Sequence, residues 1–100
     1  MNENLQQACD KYMDYILEQL NALLSIHSPT GYTRQVGEYL MEEYTRLGYA
    51  PKRTRKGGVM VDLGGSGNAV MVMAHVDTLG AMVAEVKDNG RLRLTPLGGL

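Results

Sequence analysis

The apolar run "AVMVMA" at residues 69–74, which leads directly into His75-Val76-Asp77, is the feature that most constrains the fold. All of its positions are apolar, whereas a strand with one face in water alternates apolar and polar residues. We therefore predict a strand over residues 69–75 that is buried on both faces. Such strands occur in sheets covered by helices on both sides, so the predicted fold class is α/β.

Two amphipathic helices are predicted upstream, because apolar residues recur at spacings of three and four over residues 5–24 and 36–47. The first should end near Pro29, since proline disfavours helical backbone at the residue before it. Thr30 is the predicted N-cap of the second helix, and Gly48 is its predicted C-terminal glycine. Two helices cover only part of a doubly buried strand, so we expect further sequence to complete the layers.

Strand-like patterns follow the second helix. Residues 50–55 are predicted to form a polar edge strand and residues 58–63 an apolar strand, with a glycine-rich hairpin turn at residues 64–67. Residues 81–86 and 91–97 flank "DNG", and Asn-Gly between two alternating runs favours a β-hairpin. That hairpin is predicted to have one polar and one apolar face.

His75 and Asp77 are the candidate site residues. Residues two apart on a strand face the same side, so both side chains can reach one pocket at the end of the strand. Imidazole is a common metal ligand, and a carboxylate often orients the ring of such a histidine. The pattern fits equally well a structural histidine that is hydrogen-bonded to an aspartate. Gly80 is predicted to permit a change of direction after the strand.

Other features indicate less specific roles. His27 is interpreted as a residue that interacts with the C-terminus of the first helix rather than as a ligand. The basic run at residues 52–56 lacks interleaved aromatic residues, and the net charge is -1, so we expect no nucleic-acid partner. No apolar run approaches the roughly 20 residues of a membrane span, and no signal peptide is evident. With a single cysteine, Cys9, the predicted location is the cytoplasm.

Taken together, these motifs resemble the N-terminal part of the glutamyl and tetrahedral aminopeptidases, which are metallopeptidases of family M42. The stretch "LLSIHSPTGYTRQVGEYLMEEYTRLGY" resembles the leading helix, Ser-x-x-Gly elbow and second helix of that family. The two strands and the H-x-D-x-x-G-x-M-V motif of the family are similar to the stretch "VMVDLGGSGNAVMVMAHVDTLGAMV". Its next hairpin is similar to the stretch "DNGRLRLTPLGGL". Two positions of this chain differ from residues common in the family: Thr33 and the stretch Thr78-Leu79-Gly80-Ala81. The subgroup of the family to which the chain is similar is therefore left open.

The resemblance implies a zinc-peptidase-like α/β sandwich, in which residues 1–80 belong to the catalytic domain and residues 81–100 begin an inserted oligomerisation domain. It implies that His75 binds one of two paired divalent metal ions, zinc or cobalt, and that Asp77 is a catalytic residue that orients the imidazole. Peptides would be the substrates of a homo-oligomer, which removes their N-terminal residues.

Only one metal ligand lies in these 100 residues, whereas a catalytic metal usually has about three from the protein. We therefore expect the segment to be the front part of a longer protein and to be inactive alone. A related co-catalytic zinc carboxypeptidase or deacylase, and a non-catalytic assembly module on the same scaffold, are the alternatives.

Overall fold

The computed structural model describes residues 4–99, which form a mixed α/β arrangement of two helices followed by two small antiparallel sheets. This confirms the predicted α/β class and the predicted order of helices before strands. The elements in chain order are α1 (Leu5–Ser25), α2 (Arg34–Arg46), β1 (Lys52–Arg53), β2 (Val59–Met60), β3 (Gly80–Val86) and β4 (Leu92–Leu97).

Helix α1 begins with a capping box and ends where the sequence predicted. The Asn4 side chain accepts a hydrogen bond from the Gln7 amide at 2.8 Å, and the Gln7 side chain accepts one from the Asn4 amide at 3.1 Å. These two bonds satisfy amides that have no partner within the helix. Ile26 has extended backbone angles, so the chain leaves the helix before it reaches Pro29.

The predicted N-cap of α2 is wrong. The N-cap is Thr33 rather than Thr30, and the Thr33 side chain makes no capping hydrogen bond. A turn occupies the intervening residues, closed by a bond of 2.8 Å from the Tyr32 amide to the Pro29 carbonyl. Gly31 takes a φ of +86° in this turn, which is incompatible with the start of a helix. The helix therefore begins later than its sequence pattern suggests.

The C-terminus of α2 confirms the prediction for Gly48, which has a φ of +94°. Its amide bonds to the Thr45 carbonyl, and the amide of Tyr49 bonds to the Tyr44 carbonyl, each at 3.0 Å. This pair of bonds is the Schellman arrangement, in which a left-handed glycine closes the last turn.

Hydrogen bonds between side chains connect the two helices. The Tyr15 hydroxyl donates to Glu43 Oε1 at 2.7 Å, and the Tyr39 hydroxyl donates to Gln19 Oε1 at 2.6 Å. Burial and the bond to Glu43 raise the pKa of Tyr15 to about 12. Hydrogen bonds from Arg46 and then Tyr15 lower the pKa of Glu43 to about 2.

Each of the two sheets is a hairpin. Strands β1 and β2 pair antiparallel over only two residues each, much shorter than the strands predicted for residues 50–55 and 58–63. The β3–β4 hairpin confirms the stronger prediction, with Gly80 opposite Leu97 and a register irregularity between Val83 and Glu85.

The turn of the β3–β4 hairpin is closed by a bond of 2.8 Å from the Lys87 amide to the Arg91 carbonyl, and the Gly90 amide bonds to the Lys87 carbonyl at 2.9 Å. Gly90 has a φ of +80°, whereas every described residue other than glycine has a negative φ. The loop is thus a type I turn followed by a glycine bulge. A side-chain bond of 2.8 Å joins Arg93 to Glu85 on the polar face, but the apolar side chains remain exposed as well.

The predicted doubly buried strand at residues 69–75 is not present. These residues run without secondary structure, and the side chains of Val70 and Val72 are 86% and 92% exposed. A strand needs a neighbour to receive its backbone hydrogen bonds, and none lies beside this segment within residues 4–99. For the same reason the glycine-rich residues 64–67 do not join two paired strands, contrary to the hairpin turn predicted there.

Little of the described chain is shielded from solvent. Val36 of α2, 1% exposed, is its one buried hydrophobic side chain. The radius of gyration is 18.3 Å, compared with about 13 Å for a compact domain of this length. The arrangement is therefore elongated, and the four consecutive apolar side chains of residues 70–73 are each at least 75% exposed.

Candidate functional site

Residues 28–31, which lie within the connection between α1 and α2, hold the chain around His75 and Asp77, and we call them the elbow. The Thr78 amide donates to the Ser28 carbonyl at 2.9 Å, and the Ser28 hydroxyl donates to the Val76 carbonyl at 3.1 Å. Pro29 and Thr78 form a parallel bridge, and Ser28 is fully buried. The backbone of residues 76–78 is thus fixed to the elbow by bonds on both sides of Asp77.

The side chains of His75 and Asp77 meet, as their spacing predicted. His75 Nδ1 lies 2.9 Å from Asp77 Oδ1 and 3.2 Å from the Asp77 carbonyl oxygen. The imidazole is otherwise open, because the His75 side chain is 84% exposed. The pair forms on an extended segment rather than at the end of a buried strand, so its geometry depends on the elbow.

Asp77 has a second partner that the sequence did not indicate. The Thr30 hydroxyl donates to Asp77 Oδ2 at 3.0 Å. This bond, followed by the bond to His75, lowers the pKa of the Asp77 carboxyl below its usual value. Asp77 is therefore ionised at neutral pH and acts only as an acceptor. It follows that His75 Nδ1 carries a proton and donates it to Asp77, and that in the corresponding tautomer of the imidazole the lone pair lies on Nε2.

Two glycines allow the hairpin to approach the elbow closely. A Cβ atom on Gly80 would overlap the Pro29 side chain, and one on Gly98 would overlap the Thr30 side chain. The predicted role of Gly80 is therefore corrected: its φ is not in the left-handed region, and its lack of a side chain permits contact rather than a sharp turn. Both ends of the β3–β4 hairpin thus lie against the residues that hold Asp77.

The remaining candidates do not join this pair. His27 lies two residues beyond the last residue of α1. The guanidinium of Arg53, from the basic run, lies on Gly37 of α2, where a methyl group would overlap it. Within residues 4–99 no three histidine, cysteine, aspartate or glutamate side chains converge on one point. The part of the chain that the structure describes therefore offers a single histidine with its carboxylate, and the metal role of His75 stays a prediction.

Neither α1 nor α2 combines the length and the apolar character that a bilayer crossing demands.

Comparison with known proteins identifies the class. A model of the M42 glutamyl aminopeptidase family matches residues 57–100. A Bacillus subtilis (strain 168) protein with the name "Putative aminopeptidase YhfE" is 41% identical over 83% of this chain and 25% of its own length. The glutamyl aminopeptidase of Lactococcus lactis subsp. cremoris is 33% identical over 84% of this chain and 24% of its own length.

A lysyl aminopeptidase of Pyrococcus furiosus is 41% identical over 49% of this chain and 14% of its own length. All of these relatives carry the name of one class of enzyme, the aminopeptidases. The chain belongs to the M42 peptidase family, and it spans about a quarter of the length of the first two relatives that it matches.

Proposed function

We propose that this chain provides one arm of the active site of a metal-dependent aminopeptidase, which removes N-terminal residues from peptides. The single observation that carries the proposal is the contact of 2.9 Å between His75 Nδ1 and Asp77 Oδ1, in a chain of a family named for aminopeptidases. Metal-binding histidines usually donate their second ring N–H to a carboxylate or carbonyl in this way.

The donor set of this pair fits a divalent metal ion such as zinc or cobalt. Asp77 holds the proton of the ring on Nδ1, so Nε2 is the nitrogen that would bind the metal, and it makes no hydrogen bond within residues 4–99. In the proposed enzyme, paired metal ions supply activation of a water molecule and polarisation of the scissile carbonyl. His75 holds one of these ions, and Asp77 fixes the ring plane and the tautomer.

A single metal-binding histidine does not make a catalytic metal site. Because a catalytic zinc has about three protein ligands, His75 requires partners from other sequence. We propose that this other sequence also supplies strands beside residues 69–75, which completes the α/β sandwich. In this arrangement residues 1–80 are catalytic, and residues 81–100, which include most of the β3–β4 hairpin, start the inserted domain through which the subunits of the homo-oligomer associate. The 100 residues alone then have no peptidase activity and no tight zinc site.

The test uses the full-length protein with amino-acid p-nitroanilides as substrates. We expect cleavage that requires zinc or cobalt and that His75→Ala lowers by at least about 100-fold. His27→Ala is the matched control, since it removes the other histidine of the elbow region without touching the pair. Cleavage that is insensitive to metal chelation, or equal losses in the two variants, would contradict the proposal. Absence of any cleavage would favour a non-catalytic assembly module.

A further inference from the structure

We propose that Thr30 is a positioning residue, which fixes the Asp77 carboxylate and through it the imidazole of His75. The proposal rests on the proposed metal role of His75. Each carboxylate oxygen of Asp77 has its own partner: Oδ1 receives the His75 ring, and Oδ2 receives the Thr30 hydroxyl. The terminal torsion of an aspartate is broad, so a carboxylate with one partner samples many orientations. A second bond on the other oxygen selects one of them.

Thr30 is suited to this task because its own position is fixed from several directions. It lies within the turn that the Tyr32 amide and Pro29 carbonyl close at 2.8 Å. Two residues before it, Ser28 makes hydrogen bonds to the backbone of Val76 and Thr78, on both sides of Asp77. Gly98 lies against its side chain from the end of the hairpin. The elbow therefore sets both the backbone and the side-chain orientation of Asp77.

The competing explanation is that the bond only gives the exposed Thr30 hydroxyl a partner and does not affect the orientation of the His75 ring. The two explanations predict different results for substitutions that keep or remove the hydroxyl of residue 30. If Thr30 acts through its hydroxyl, Thr30→Ser retains the function and the nearly isosteric Thr30→Val loses it. Thr33→Val is the matched control, because Thr33 lies three residues away in the same connection and its hydroxyl makes no capping bond.

The experiment measures two properties of the full-length protein. The first is the zinc dissociation constant, obtained by competition with a chelator. We expect Thr30→Val to weaken zinc binding on the order of tenfold, since one hydrogen bond to a charged group is lost. Thr30→Ser and Thr33→Val should stay within about twofold of the wild type. In an Asp77→Ala background, which removes the partner of the Thr30 hydroxyl, Thr30→Val should cause no additional loss, since its effect passes through the carboxylate.

The second property is the tautomer of the His75 ring, read by nitrogen NMR in the metal-free protein. We expect the Nδ1–H form to predominate in the wild type and in Thr30→Ser and to lose population in Thr30→Val. Unchanged tautomer and zinc affinity in Thr30→Val would overturn the proposal, and so would an equal weakening of zinc binding by Thr30→Val in the Asp77→Ala background. If the wild type binds no zinc, the proposed function fails, and the tautomer alone decides whether Thr30 positions the pair. Thr30→Ala replaces the valine variant if the latter does not fold.

Discussion

Replacement of Ser28 by alanine tests whether the elbow holds the site segment. Ser28 is fully buried, and its hydroxyl gives the Val76 carbonyl a hydrogen bond of 3.1 Å. The alanine removes this bond and leaves the carbonyl without its partner, while a methyl group takes the place of the hydroxyl. A buried acceptor without a partner costs about 1–3 kcal/mol, but this bond is only part-buried, so water recovers part of that cost for the Val76 carbonyl. We expect a net loss of about 1–2 kcal/mol from the local free energy of opening.

Hydrogen exchange of the Thr78 amide is the assay, because this amide bonds to the Ser28 carbonyl at 2.9 Å and reports on the elbow directly. A loss of about 1–2 kcal/mol corresponds to exchange roughly 5–30 times faster. Ser25→Ala is the control, since the exposed Ser25 hydroxyl bonds only to the Asn21 carbonyl within α1. An acceleration of less than about threefold in Ser28→Ala, or an equal one in Ser25→Ala, would refute this account.

Three further predictions follow from glycine contacts and titration. Gly80→Ala places a methyl group against the Pro29 ring, which cannot rotate away, and we expect a loss of about 1–3 kcal/mol in the free energy of unfolding measured with urea. Gly90→Ala forces a side chain into a φ of +80°, which costs about 1–2 kcal/mol and should accelerate exchange of the hairpin amides. Ring NMR of Tyr15 should give a pKa of about 12, and Glu43→Gln should move it toward 10 but not fully, since burial remains the largest cause of its elevation. Because the folded-state pKa is raised, the stabilisation from neutral Tyr15 is complete below pH 10 and is lost as the pH rises through about 12.

Gly99→Ala adds a methyl group in open space and should leave stability unchanged, so equal losses at both glycines would exclude steric contact as the cause. Unchanged exchange of the Lys87 amide in Gly90→Ala would show that the turn tolerates a side chain there. A Tyr15 pKa that does not respond to Glu43→Gln would mean that the bond between the helices does not form.

Local features of this fold were accessible from the sequence, because their causes lie within a few residues. The spacing of apolar side chains predicted both helices, Gly48 marked the end of α2, and "DNG" marked the turn between β3 and β4. The contact between His75 and Asp77 is also local, since the two residues are separated by one position. The sequence pattern was sufficient for the helices and the turn, whereas the geometry of the histidine–aspartate pair also depends on the bonds from Ser28 to residues 76 and 78.

Features that depend on distant partners were not accessible in the same way. The sequence predicts Thr30 as a helix cap, because a hydroxyl before an apolar stripe commonly has that role. Its actual partner, Asp77, lies 47 positions further along the chain, and no local pattern predicts that bond. The strand predicted at residues 69–75 failed for a related reason, since an apolar composition indicates burial but does not supply the neighbouring strands.

The long separation between the elbow and the segment that it holds has a consequence for the order of folding. Ser28 and Val76 are 48 positions apart, and closing a flexible loop of that length costs about 3 kcal/mol of chain entropy. The helices and the β3–β4 hairpin close only short loops, and such elements form within microseconds. The histidine–aspartate pair should therefore reach its final geometry late, after the local elements have shortened the chain between the elbow and the segment that carries the pair.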